Sequence, residues 1–179
     1  MLETIAIIVV VIAAALVILL AYAATRPDTF HIERSANIEA PAEKIFPMIS
    51  DLHRWEPWSP YEKRDPAMQR SYSGAPSGKG AVYEWNGNKT IGQGRVTIAD
   101  AVAPSKVRID LDMIRPFAAH NDVEFTLQPN GHGTKVTWAM EGARPLLPRV
   151  ICMFFNMDKM VGADFETGLA NLKAVAEAG

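Results

Sequence analysis

Cysteine is nearly absent from the sequence, and this scarcity excludes two kinds of stabilising site. Cys152 is the only cysteine among 179 residues. A single thiol cannot form an intrachain disulfide or build a cysteine-ligated metal site. Because its neighbours Ile151 and Met153 are apolar, we interpret it as a small core residue. The composition therefore agrees with a reducing compartment.

An excess of charge of one sign is also missing. The 18 Lys and Arg residues nearly balance the 20 Asp and Glu residues, which gives a formal net charge of −2. No block of basic residues is present, so we do not expect nucleic acid as a partner. The G-x-S-x-G, H-E-x-x-H and dinucleotide-binding motifs are absent too. We expect no metal site and no cofactor.

A long apolar run is present near the N-terminus. Between Ile5 and Ala24 the sequence reads IAIIVVVIAAALVILLAYAA, without one charged residue. As a helix, this run is about 30 Å long, which matches the hydrocarbon core of a bilayer. A cleaved signal peptide is the alternative, since residues 21–23 offer a small-x-small cleavage site. The run is long for a signal peptide, and no Lys or Arg precedes it. We interpret residues 1–25 as a transmembrane anchor and residues 26–179 as the folded domain.

The basic residues that flank this run predict its orientation. Arg26, Arg34 and Lys44 follow it, whereas no Lys or Arg precedes it. Positively charged flanks usually stay on the cytoplasmic side. We therefore expect a single-pass membrane protein whose domain lies in the cytoplasm.

The domain begins with a predicted strand and a broken helix. Apolar residues alternate with polar ones over residues 30–40, which predicts a strand with one buried face. Arg34 lies on the apolar side, so it either ends the buried stretch or points into something polar. Pro41 fits the first turn of a helix. Pro47 lies inside that helix, so we expect a kink or two short helices.

The rest of the domain combines a series of strands with one long helix. Short connections between successive strands predict an antiparallel meander. Over residues 149–178, apolar residues recur at three- and four-residue steps, which predicts an amphipathic helix. Such a helix needs a concave surface, which a curved sheet provides. The later strands are predicted at residues 68–73, 81–85, 94–101, 106–114, 120–127 and 134–140.

Four segments in this order resemble the SRPBCC superfamily, in particular its polyketide cyclase/dehydrase-like bacterial branch. They are IEAPAEKIFPMISDLHRWEPWSP, YEWNGN followed by GQG, GTKVTWAMEG, and MDKMVGADFETGLANLK. The resemblance covers about residues 30 to 177. It implies an α+β helix-grip fold, in which a curved antiparallel sheet of six to seven strands surrounds the long C-terminal helix. It also implies an apolar cavity between sheet and helix.

The alternation of side chains along the strands predicts which residues face that cavity. Side chains two positions apart share one face of a strand. These faces, together with apolar residues of the C-terminal segment, form either a filled core or a lined pocket, and the resemblance favours the pocket. We expect Trp58 to pack inward and help to close the cavity. The predicted ligand-binding residues are Trp58, Tyr83, Trp85, Ile109, Leu111, Met113, Phe125, Trp138, Met140, Phe154, Met157, Val161 and Phe165.

Candidates for catalysis are few. Asp51, His53 and Glu56 lie in DLHRWEPWSPY, where a histidine beside carboxylates has the residue types of an acid–base site. The simpler interpretation is that Asp51 holds the loop backbone while His53 faces solvent. On the strand at residues 120–127, His120, Asp122 and Glu124 alternate on the side expected to face water. We therefore assign no catalytic set.

The segment from residue 144 to residue 155, RPLLPRVICMFF, has two interpretations. It is either an ordinary lead into the long helix or an entrance that exchanges a lipophilic ligand with the bilayer.

Three functions remain open from the sequence. The favoured one is a membrane-anchored domain that binds a small hydrophobic molecule such as a lipid, an isoprenoid or an aromatic compound. The second is a cyclase/dehydrase- or hydrolase-like enzyme that acts on a polyketide or aromatic substrate. The third is a protein-interaction domain at the membrane, with a partner that the sequence does not identify.

Overall fold

A computed structural model describes residues 2–145, 150 and 156–178 of the protein. The predicted residue Phe154, Cys152 and most of the segment 144–155 lie outside the described residues. The elements in chain order are α1 (Leu2–Ala24), β1 (Thr29–Ile38), α2 (Ala42–Ser50), a 3-10 turn (Leu52–Arg54), β2 (Gln69–Gly74), β3 (Ala81–Asn86), β4 (Gln93–Val102), β5 (Lys106–Arg115), β6 (Ala119–Asn130), β7 (Gly133–Ala143) and α3 (Met157–Glu177).

The seven strands form one antiparallel sheet in the order β1-β7-β6-β5-β4-β3-β2. From β2 to β7, neighbouring strands in the chain are also neighbours in the sheet. Strand β1 pairs with β7 and forms one edge of the sheet. The long helix α3 packs against β1, β7 and α2. This arrangement confirms the predicted α+β helix-grip fold, including the meander and the long C-terminal helix.

Helix α1 is long and apolar enough to cross a membrane. Within the span Glu3–Ala24, an 18-residue window has a mean hydropathy of 3.3, and none of that window is buried. Membrane anchors and signal sequences share these properties. At its C-terminal end the Arg26 guanidinium lies over the Tyr22 ring, 4.7 Å from its centroid. The predicted apolar helix is thus present.

The region around Pro47 contains two short helices, as the sequence predicts. Helix α2 contains Pro47 and ends at Ser50, and the 3-10 turn follows after Asp51. The Asp51 carboxylate caps this turn, because it accepts a hydrogen bond of 3.0 Å from the His53 backbone N–H. Capping by a short acidic side chain satisfies a donor that the turn leaves unpaired.

Arg34 links strand β1 to helix α3 through two ion pairs, which decides between the two interpretations of its position on the apolar side of the strand. Its guanidinium donates to Asp158 Oδ2 at 3.0 Å and to Glu166 Oε1 at 2.8 Å. Gly162 lies between these two carboxylates along the helix, and a Cβ there would overlap the Arg34 guanidinium. Arg34 therefore points into a polar site, and the missing side chain of Gly162 makes room for it.

Replacing Arg34 by Gln will raise the pKa of Asp158 toward its ordinary value of 3.8. The hydrogen bond from Arg34 is the main cause of the lowered pKa. A carboxylate with a lowered pKa stabilises the fold above its unfolded pKa, and this contribution is lost as pH falls through the folded value. An NMR titration of the side-chain carboxyl carbon measures the change. Arg95→Gln, on β4, is the control, and an unchanged Asp158 pKa in Arg34→Gln would contradict the assignment.

Candidate functional site

The interior of the domain has one filled half and one hollow half. The β4–β5 turn and the β6–β7 turn lie at one end of the sheet. The interior next to this end is closely packed. Val107 and Val136 are fully buried there, and Leu127 is 2% exposed. Toward the opposite end, the same strands border a cavity of about 300 Å³. A volume of this size is at the lower limit of small-molecule sites.

Ten of the thirteen predicted ligand-binding residues line this cavity. Trp58 and Met157 are the described exceptions, and Phe154 lies in the undescribed segment. Trp58 is 1% exposed, and its indole packs behind the cavity wall instead of forming it. Met157 is partly buried against the core. The ten residues are Tyr83, Trp85, Ile109, Leu111, Met113, Phe125, Trp138, Met140, Val161 and Phe165.

A cluster of aromatic rings from the sheet and from helix α3 forms one wall of the cavity. The Trp138 and Phe165 rings stack with centroids 4.2 Å apart and planes at 9°. The Phe125 ring centroid lies 4.8 Å from that of Trp138, and the Trp58 ring is nearly perpendicular to both. The Trp58 indole N–H donates to the Met48 carbonyl at 2.9 Å. Trp58 therefore supports the lining rings from behind and ties them to α2.

Two glycines leave room for the indole rings of two lining tryptophans. On β4, a Cβ at Gly94 would overlap the six-membered ring of Trp85, and on α3 a Cβ at Gly168 would overlap that of Trp138. Real Cβ atoms do not approach other atoms this closely. These two positions therefore help to fix the shape of the cavity.

The cavity also has a polar group that the sequence did not reveal. Glu62 is 6% exposed and lines the cavity. Its Oε1 accepts a hydrogen bond of 2.6 Å from the Tyr83 hydroxyl, and its Oε2 accepts one of 2.8 Å from Arg70 Nε. Glu62 lies in the charged sequence YEKRD, and residues of these types are rarely buried.

Burial raises the pKa of the Tyr83 phenol, and the hydrogen bond to Glu62 raises it further. Burial likewise raises the pKa of Tyr61, another residue of the cavity wall. Both phenols therefore stay neutral in the folded protein at pH values where an ordinary tyrosine ionises.

We expect absorbance at 295 nm to show these phenols protected from ionisation. Above the unfolded phenol pKa of about 10, only the unfolded chain releases these protons, so stability falls as pH rises. Tyr83 and Tyr61 will ionise only when the domain unfolds. Tyr83→Phe will remove one late-titrating phenol, whereas a complete titration of all four tyrosines before unfolding would contradict the buried environment.

Two indole N–H groups of lining residues have no hydrogen-bond partner among the described residues. They belong to Trp85 and Trp138, and both nitrogen atoms are buried. An unpaired buried donor costs about 1–3 kcal/mol.

The three weak catalytic candidates lie away from the cavity. Asp51, His53 and Glu56 are not among its lining residues. His53 is exposed, and its ring stacks on Tyr72 with centroids 4.1 Å apart. Its Nδ1 lies 3.2 Å from Asp51 Oδ1. The structure brings Asp51 and His53 together at the surface, where Asp51 has the capping role that the simpler interpretation gives it.

The outer face of the sheet carries the predicted row of polar residues. His120 and Asp122 are exposed and Glu124 is half-buried. His120 Nδ1 lies 2.7 Å from Asp112 Oδ1, and this hydrogen bond raises the pKa of the histidine. Ligand atoms of Asp110, His120 and Asp122 lie within 4.8 Å of one another. Exposed acidic groups often adopt such arrangements without a metal.

These features define a helix-grip domain with an apolar cavity, and a sequence comparison identifies its family. Residues 29–177 match the model of the family described as "Polyketide cyclase / dehydrase and lipid transport". The chain therefore belongs to this family, which confirms the resemblance seen in the sequence. No curated protein matches the chain in a sequence search.

Solved structures support the fold over the same region. A protein from Chromobacterium violaceum aligns with a TM-score of 0.59 at 15% identity, covering 85% of this chain and 99% of that one. Ara h 8.0201 gives a TM-score of 0.57 at 14% identity, covering 84% and 99%. The di-domain ARO/CYC StfQ from the steffimycin biosynthetic pathway gives 0.62 at 12% identity, covering 84% and 52%. At these identities the comparison establishes the fold alone.

Proposed function

We propose that this protein binds a small hydrophobic molecule in the cavity between its sheet and helix α3. The carrying observation is a cavity of about 300 Å³ lined mainly by aliphatic, methionine and aromatic side chains. Burial of apolar surface supplies the binding free energy at such sites. The family description includes lipid transport, which supports a lipid, an isoprenoid or an aromatic compound as the ligand.

The charged groups of the cavity favour a neutral ligand. Arg64, one of the lining residues, is paired with Asp164. Glu62 is already engaged by Tyr83 and Arg70. A ligand without charge therefore fits this lining better than an ionised one does.

Helix α1 serves in this proposal as a membrane anchor, so that residues 1–25 hold the domain of residues 26–179 at the bilayer. Its length and hydropathy support this role. Tyr22 and Arg26 at its end are residue types that favour the membrane interface. The positive residues after α1 favour the cytoplasmic side for the domain.

Catalysis by the cavity residues has less support than binding. Both carboxylate oxygens of Glu62 already accept hydrogen bonds, from the Tyr83 hydroxyl and from Arg70 Nε. The raised pKa of Tyr83 makes its phenol a weak acid. Asp51, His53 and Glu56 do not line the cavity. A binding role, in contrast, requires no acid or base among the residues that line the cavity.

Native mass spectrometry of the detergent-extracted full-length protein, with lipid analysis of the released molecules, tests the proposal. We expect a stoichiometric neutral hydrophobic compound. The uncharged fluorescent dye Nile red should also bind and be displaced by that compound. If nothing co-purifies and no dye binds, the cavity proposal fails, and a co-purifying protein would instead favour the interaction domain. Turnover of the bound compound by the purified protein would favour the enzyme.

A further inference from the structure

The cavity and the membrane anchor lie at the same end of the sheet. Strand β1 begins there, because Thr29 pairs with Ala143 at the end of β7. Gly142 in turn pairs with Asn121 near the start of β6. The cavity-lining residues Met113, Asn121 and Met140 come from the halves of β5, β6 and β7 nearest this end. We call it the anchor end.

The connection between α1 and β1 keeps the anchor end close to the bilayer. Helix α1 ends at Ala24 and β1 begins at Thr29. The backbone between these two residues spans at most about 17 Å when fully extended. It is shorter here, since the N–H groups of Thr25 and Arg26 donate to carbonyls in the last turn of α1. A bilayer that contains α1 therefore lies just beyond the anchor end.

The β5–β6 hairpin projects beyond the start of β1 at this end. Because Gly142 pairs with Asn121 and Ala143 with Thr29, β1 starts about level with residue 120 of β6. The hairpin continues past that level through residues 113–119. At about 3.3 Å per residue, its turn extends about 10 Å further. Three strand spacings of about 4.8 Å, or about 14 Å, separate β5 from β1.

The turn of this hairpin presents apolar side chains to the outside. Phe117 is 75% exposed and Ile114 is 49% exposed. Exposed phenylalanine is unfavourable in water and favourable at the boundary between headgroups and acyl chains. Arg115 next to them is engaged with Gln93 and Asn86, so it holds the turn against the β3–β4 loop. That loop supplies Thr90 and Ile91 to the cavity wall.

We propose that the β5–β6 turn, through Phe117 and Ile114, inserts into the lipid bilayer that holds α1. The inference rests on the membrane anchoring proposed above. Insertion at this point brings the hollow half of the domain to the lipid surface, so that a hydrophobic ligand passes between bilayer and cavity without crossing water. The partner is the lipid surface itself, and apolar burial supplies the attraction.

Site-specific fluorescence in vesicles tests this contact with the full-length chain. Phe117→Cys and Ile114→Cys, each in a Cys152→Ser background, are labelled with the environment-sensitive dye NBD and reconstituted into phosphatidylcholine vesicles. Val102→Cys is the matched control, since Val102 is 48% exposed and ends strand β4 at the opposite end of the sheet. We expect shorter-wavelength NBD emission and quenching by spin-labelled lipids at positions 117 and 114, and neither at 102.

Carbonate extraction of the same vesicles separates the failure of docking from the failure of anchoring. If α1 resists extraction while NBD at 117 and 114 behaves as it does at 102, the docking inference is wrong and the anchor stands. If carbonate releases the protein, both the anchor and the docking inference are wrong. Docking that appears only after phosphatidylglycerol is added would replace apolar insertion by an electrostatic contact and overturn the inference.

Discussion

Replacing Trp138 by Ala will lower the free energy of unfolding by about 3–5 kcal/mol, the usual cost of removing a buried tryptophan from a core. Trp138 is 5% exposed, stacks on Phe165 and contacts Phe125 and Trp58. Its loss leaves these three rings without their shared partner. For a chain of this size, such a loss lowers Tm by about 10 °C. Urea and thermal unfolding of the full-length protein in detergent, followed by near-UV circular dichroism, measure the change.

Trp138→Phe is the matched control for this prediction. Phenylalanine can still stack on Phe165, so the expected cost is about 1–2 kcal/mol. The same variant removes the unpaired indole N–H. Because that group makes no hydrogen bond to the described residues, its removal adds no cost of its own to the free energy of unfolding. A loss of stability in Trp138→Ala no larger than that in Trp138→Phe would show that the aromatic cluster does not support the fold.

The sequence predicts the sheet and most of the cavity wall because strand geometry leaves little freedom. Side chains alternate between the two faces of a strand, so one buried residue fixes the face of the others. The inward residues Ile109, Leu111 and Met113 on β5 follow directly from this rule. His120 and Asp122 on β6 lie on the outer face by the same rule. Prediction succeeds where a local period decides the direction of a side chain.

The loop between the 3-10 turn and β2 has no such period, and the sequence prediction was least informative there. Its path depends on contacts with distant residues. The Trp58 carbonyl accepts a hydrogen bond from Asn171 on α3, and Arg64 pairs with Asp164 on the same helix. These contacts place Trp58 behind the lining and bring Glu62 into the cavity. Residue types alone do not encode a position set by partners about 100 residues away.

Replacing Val123 by Trp will weaken ligand binding about a hundredfold while leaving the fold nearly as stable. Val123 lines the cavity from the middle of the sheet, so an indole at this position enters space that the ligand would occupy. About ten excluded ligand atoms at about 0.3 kcal/mol each remove about 3 kcal/mol of binding free energy, which is about a hundredfold in Kd. Titration of the co-purified compound into the delipidated protein measures this loss.

Two further variants show whether the cavity is empty space or packed core. Val136→Trp places the same indole in the filled half, where Val136 is fully buried, and overpacking there costs about 1–3 kcal/mol or more. Glu124→Trp places it on the outer face, next to Val123 in sequence, and should change neither binding nor stability. We expect Val123→Trp to cost less than about 1 kcal/mol, because the cavity can accept the ring. Equal destabilisation by Val123→Trp and Val136→Trp would mean that the hollow half is packed like the filled one, and the binding proposal would lose its main support.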